Sequence, residues 1–185
     1  MSRPKTVSDQ EVLTAALQVL GKRGPGFTLT DLAEQVGLSR ATIIQRFGDR
    51  SAILLRMAEQ EVAETRAWLD SLPVEQGPQA LWRFLQQIVG SMGSGEGFTV
   101  RVTIAALEAE DPALRRLAGE RYGLVQQAIA ARLPHSPNQI QTAMHLHAII
   151  AGATMQWVAS DGSSGLSEFV LDRLKWAVDH IPPLA

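Results

Sequence analysis

The chain has 185 residues, 45% of them apolar and 19% charged, with a formal net charge of −2 and no cysteine. That composition excludes a solvated disordered chain, and it excludes disulfides, thiolate catalysis and Cys-ligated zinc. The charge is uneven: residues 1–56 hold eight Lys/Arg against five Asp/Glu, whereas 57–185 hold nine against fourteen. The first part, which includes Arg3 and Lys5, is therefore the part expected to meet a polyanion. The opening MSRPKTVSDQEV has no signal-like apolar stretch. The most apolar run, near 148–159, is shorter than the ~18 residues a membrane span needs. A cytoplasmic protein with no membrane partner is expected.

The pattern is helical throughout, with no alternating strand-like run. Ser8 followed by Glu11 is a capping box, and Leu13, Ala16, Leu17 and Leu20 recur at helical spacing until the glycines of 21–26 break the helix. Thr28 with Asp31 caps a second helix on Leu29, Leu32, Ala33 and Val36, and Gly37 supplies the left-handed residue that stops it. Ser39 caps a third helix, and Asp49 a fourth running to about Asp70. A fifth carries Leu81, Phe84, Leu85, Ile88 and Met92; a sixth spans Phe98 to Ala109. Asp111-Pro112 and Ser136-Pro137 place proline at the first position of two helices of roughly 20 residues. The last helix spans about Leu166 to His180. An all-α fold of about nine helices is expected, with a head over 1–56 and a larger helical body over 57–185.

Residues 28–50, TLTDLAEQVGLSRATIIQRFGDR, carry the functional signal. Two short helices flank a tight turn at Val36-Gly37-Leu38. Leu29, Leu32, Val36, Leu38, Ile43 and Phe47 can share a small core. That is the logic of a helix-turn-helix, whose second helix enters the major groove of duplex DNA. The expected DNA-facing residues are Thr28, Thr30, Ser39, Arg40, Ala41, Thr42, Ile44, Gln45, Arg46 and Arg50. Arg40 and Gln45 suit base edges, while Thr42, Arg46 and Arg50 suit phosphates.

On these residues the chain resembles the TetR family of bacterial regulators. The matching positions are Ala15, Ala16, Leu17, Phe27, Thr28, Leu32, Ala33, Gly37, Leu38, Ser39, Thr42, Ile43 and Phe47, within about residues 8–56. Three positions depart from the pattern: Ile44 stands at the usual Tyr, Arg46 at the usual His and Arg50 at the usual Lys. The arginines keep a phosphate donor. Ile44 loses a hydroxyl, so one fewer phosphate contact per half-site, or altered docking, is expected. Beyond residue 70 the resemblance implies only an all-helical ligand and dimer domain, and it favours repression over activation.

For the body, two sets of residues are expected. Trp82, Leu85, Met92, Phe98, Val102, Met144, His147 and Trp157 are candidate lining for an apolar pocket, because Trp offers a flat face with one donor and Met adapts to varied shapes. Their near lack of charge points to a small apolar or weakly polar effector. Ala148, Ala151, Gly152 and Met155, with Val170, Leu174, Ala177 and Val178, are the candidate dimer face across a two-fold axis. A homodimer would read a near-palindrome in double-stranded DNA, and an effector would change the spacing of its reading helices, a coupling of typically ~1–3 kcal/mol. The sets also have plainer readings as packed core and satisfied histidine. Two other readings stay open: a DNA-binding regulator with no small-molecule effector, and a helical carrier or enzyme. For an enzyme the sequence offers no nucleophile with a base, no metal-ligand set and no phosphate loop. His145 and His147, two apart on a helix, point to different sides and cannot chelate one ion together. No catalytic residue, metal or cofactor is expected.

Overall fold

The computed structural model describes residues 7–93, 95, 97–160 and 164–180, with only the backbone of residue 99. Among them are nine α-helices and no strand: α1 (Asp9–Arg23), α2 (Leu29–Val36), α3 (Arg40–Phe47), α4 (Arg50–Asp70), α5 (Pro78–Gly90), α6 (Phe98–Glu110), α7 (Pro112–Ala130), α8 (Gln139–Val158) and α9 (Leu166–Asp179). They form two compact units. The first comprises 1–64 and 97–120, the second 65–96 and 121–185, so α4 and α7 each contribute residues to both. The expected change at residue 56 divides the chain differently, because α6 and the start of α7 pack with the head.

The first unit is built on local capping. Ser8, Thr28 and Ser39 each accept a hydrogen bond from the backbone N–H three residues on, and the first two complete reciprocal capping boxes with Glu11 and Asp31. Asp49 accepts from the N–H of Ala52 at 2.8 Å and starts α4. The core is Val12, Ala16, Val19, Leu20, Phe27, Leu32, Ile43, Phe47 and Ile53, joined by Leu114 of α7 and flanked by Val100, Ile104 and Leu107 of α6. Two details of α1 differ from the sequence reading. Its buried stripe runs through Val12, Ala15, Ala16 and Val19 and leaves Leu17 exposed. The helix also continues through Gly21 to Arg23, and Gly24 ends it at φ 75°. Gly21 is there for close approach: a Cβ would lie 2.7 Å from Cγ2 of Val100, so only a glycine lets α6 pack this near to α1.

The second unit relies on packing instead. Leu81, Phe84, Leu85, Ile88 and Val89 of α5 face Ala143, Leu146, Ile150 and Ala153 of α8 and Leu166, Val170 and Leu174 of α9 in one apolar cluster. Neither α5, α8 nor α9 has a side-chain N-cap. The expected start of α8 at Ser136-Pro137 is a turn, and the helix begins at Gln139. The Gln139 side-chain amide donates to the carbonyls of Ala130 (2.8 Å) and Leu133 (3.3 Å), which satisfies acceptors left at the end of α7. Arg132, only 3% exposed, lies 3.7 Å over the Phe84 ring and donates to the carbonyls of Ala128 and Pro73. Burial holds its pKa below the ordinary value. No helix among the described residues is long and apolar enough to cross a membrane.

Candidate nucleic-acid interface

The α2–α3 corner is set by three local devices. Thr28 caps α2: its hydroxyl accepts from the N–H of Asp31 at 3.2 Å, and its own N–H donates to the Asp31 carboxylate at 2.8 Å. These bonds to Thr28, backbone first, hold the Asp31 carboxyl below the usual range, and the nearby Arg23 adds to the effect. Gly37, at φ 69° and ψ 31°, reverses the chain, and the N–H of Leu38 closes the turn on the carbonyl of Ala33 at 3.0 Å. Ser39 then accepts from the N–H of Thr42 at 3.0 Å and starts α3. Leu32 and Ala33 of α2 and Ile43 and Phe47 of α3 point into the core. Leu29, Val36 and Leu38 pack beside them, as the sequence reading expected.

With those four residues anchored inward, the rest of α3 is presented outward. Arg40, Ala41, Ile44 and Gln45 are exposed, as are Ser39, Thr28 and Thr30; Thr42 is half-buried. Two residues expected at phosphates have partners within the chain. The guanidinium of Arg46 is turned back on its own unit, donating from Nε to Asp9 Oδ1 at 3.0 Å, from Nη1 to the carbonyl of Val7 at 2.8 Å, and from Nη2 to Asp9 again. Arg50 donates to the carbonyl of Pro25 and lies 5.2 Å over the Phe27 ring, with its Nε buried and unpaired. Both positions are filled by long donors close to internal acceptors, so intramolecular bonds take the geometry that the sequence assigned to DNA. Asp9 was missed altogether. It lies 37 positions from Arg46, and nothing in the local pattern links the two. Arg3 and Lys5 lie outside the described residues.

The candidate pocket residues are divided between the two units. Phe98 and Val102 belong to the first unit and the other six to the second. Val102 and Met144 are exposed. Trp82 is half-buried, with Lys175 5.7 Å from its ring. Leu85 is fully buried in the core, and Met92 packs beside it. The Trp157 ring lies against Gly95, where a Cβ would meet it at 2.5 Å, and its Nε1 donates to the carbonyl of Ser164 at 2.9 Å. His147 meets Tyr122 edge-on at 5.3 Å between ring centroids, and Arg121 lies 5.2 Å over the Tyr122 ring. Burial, and secondarily the charge of Arg121, pushes the His147 pKa down.

The candidate dimer residues split as well. Ala148, Ala151, Gly152 and Met155 are exposed along one side of α8, and Ala177 and Val178 are half-buried. Val170 and Leu174 correct the expectation, since both are 0% exposed in the single chain. The apolar spacing of α9 that suggested a dimer seam is the face it turns to α5 and α8.

A capped helix pair with a left-handed glycine turn, an anchored aromatic and an outward second helix defines a helix-turn-helix DNA-binding regulator. Residues 12–57 match the family model described as bacterial regulatory proteins, tetR family. Over 183 residues it is 25% identical to the HTH-type transcriptional repressor AcnR of Corynebacterium glutamicum, covering 94% of this chain and 93% of that protein. Its fold is shared with a transcriptional regulator from Rhodococcus sp. Rha1 (TM-score 0.78, 17% identity, 93% and 94% coverage). It is also shared with the multidrug binding protein EbrR complexed with ethidium (TM-score 0.67, 23% identity, 91% and 97% coverage). The chain is thus a DNA-binding transcriptional regulator, grouped with regulators and not with enzymes.

Proposed function

We propose that the chain is a homodimeric, ligand-responsive repressor acting in the cytoplasm on a near-palindromic operator. Residues 1–56 would be the DNA-binding part. The carrying observation is the outward face of α3, on which Arg40 and Gln45 are exposed; these two would read base edges, and Thr28, Thr30, Ser39, Ala41, Thr42 and Ile44 would complete the DNA-facing set. Arg40→Ala or Gln45→Ala should relax preference at particular base pairs, at about 1–3 kcal/mol per good contact, read by binding to a duplex recovered from a random pool. Preference unchanged in both variants would show that another surface reads DNA.

Dimerisation is supported by α8. Met144 (48% exposed), Ala148, Ala151, Met155 (57%) and Val158 follow one another at alternating steps of four and three, which places them on one side of the helix. Such an apolar stripe in water suits a second copy of the chain, with Gly152 and the alanines permitting close approach. On α9, Trp176 is exposed as well (67%), while Ala177 and Val178 are half-buried. Met155→Asp should yield a folded monomer by sedimentation; a wild-type monomer at micromolar concentration would refute the dimer. EbrR is a multidrug binding protein, and this supports an effector for the present chain. Leu85, Met92, His147 and Trp157 of the second unit are its proposed neighbours, and a neutral or weakly polar compound fits them. A screen of such compounds should find one that raises the melting temperature and weakens operator binding. A screen with none would favour a regulator without a small-molecule effector.

A further inference from the structure

We propose that Arg46 is a positioning residue of the DNA-reading helix, working through Asp9, and not a phosphate ligand. The inference rests on α3 being the helix that reads DNA. Arg46 stands in the last turn of α3, and its side chain is only 23% exposed. Nε, Nη1 and Nη2 all donate to Asp9 or to the carbonyl of Val7. A planar guanidinium held by a carboxylate and a carbonyl together has its orientation fixed, which a single point charge would not achieve. Asp9 is the first residue of α1, where the helix N-terminus further favours its negative charge. Its other oxygen faces Nη1 of Arg56 on α4 at 3.5 Å. Asp9 therefore ties α3 and α4 to the start of α1. Both arginines also approach Phe47, whose ring lies 5.4 Å from the Arg46 guanidinium and 5.1 Å from that of Arg56. Phe47 is also the residue that anchors the end of α3 in the core. The cluster thus sets how the end of α3 sits on α1 and α4.

A phosphate could take the Nε–Nη2 edge of Arg46 only by displacing the Asp9 carboxylate, which would then confront the DNA backbone with Arg56 alone beside it. This electrostatic conflict gives the two roles opposite signatures. Were Asp9 a competitor for a phosphate ligand, Asp9→Asn would remove a negative charge facing a polyanion and tighten binding. As part of a positioning clamp, Asp9→Asn should weaken binding to the selected operator about fivefold or more, the worth of a well-formed partly exposed ion-pair network. Arg46→Lys keeps the charge and loses the fork, so it should weaken binding similarly and leave the salt dependence of binding as in the wild type. The double variant should be no worse than either single one, because both remove the same clamp. Binding is read by titration of the full-length protein at a temperature below every variant's melting point, with circular dichroism confirming the fold.

Tighter binding by Asp9→Asn, additive losses in the double variant, or wild-type affinity in Arg46→Lys would each overturn the proposal. So would an Arg46→Ala variant whose salt slope falls by about 0.9 per half-site, the signature of a lost phosphate contact. Arg40→Ala serves as the control. If neither it nor Gln45→Ala changes sequence preference, then α3 is not the reading helix and the underlying reading fails with this one.

Discussion

The two units of this regulator reach order by different routes. In the first, helices of eight residues are started by Thr28 and Ser39, stopped by Gly37 and tied together by Arg46, Arg50 and Asp9. In the second, α5, α8 and α9 have no side-chain N-cap and depend on one continuous apolar cluster. Short helices are marginal by themselves, so capping and ionic ties matter most where helices are shortest. In the second unit the stability of the helices becomes a property of the cluster.

That contrast can be broken most directly in the second unit. Leu174→Ala removes a fully buried side chain and should cost about 2–5 kcal/mol in denaturant unfolding. A cost under 1 kcal/mol would mean that the packed core does not carry this unit. Arg132→Ala comes next. It strips a partner from the Ala128 and Pro73 carbonyls and the face of Phe84, and should cost about 1–3 kcal/mol. The corresponding test in the first unit is Thr28→Ala. Loss of the capping box should cost about 1 kcal/mol and lower operator affinity by loosening the start of α2, as read by melting and titration.

The smallest effect is a pH dependence. His147 is held below its ordinary pKa of 6.5, so the folded state favours neutral imidazole. Above pH 6.5 neither folded nor unfolded His147 is charged, and the contribution to stability is complete. As pH falls through 6.5 toward the lower folded value, the unfolded chain binds the proton first and stability is lost. His147→Gln should flatten the melting profile in that window; an unchanged profile would show that His147 is not the group responsible.

How much the sequence revealed follows the same division. The helix-turn-helix was readable because its signals are local: Thr28 with Asp31, Gly37, and Ser39 with Thr42 all act within three or four residues. The core of that motif follows from the same helical spacing. The second unit was readable as helices but not as surfaces. Val170 and Leu174 share the apolar spacing of a dimer seam and of a core face, and spacing cannot say which partner a face meets. Met144 was placed in a pocket by its chemistry, yet it lies on the same exposed side of α8 as Met155.

The sequence by itself determined the helical class, most of the helix starts and the helix-turn-helix, because capping and periodicity are short-range effects of one stretch of chain. Only the tertiary structure decided that Arg46 and Arg50 turn inward, that α6 and Leu114 complete the core of the head, and that Val170 and Leu174 are interior. Each of those outcomes depends on a partner distant along the chain: Asp9 for Arg46, Pro25 for Arg50, Gly21 for the approach of Val100, and α5 and α8 for the inner face of α9. A guanidinium bonds to whichever acceptor the folded chain brings nearest, and an apolar face buries against whichever neighbour reaches it first; residue type and spacing leave both open.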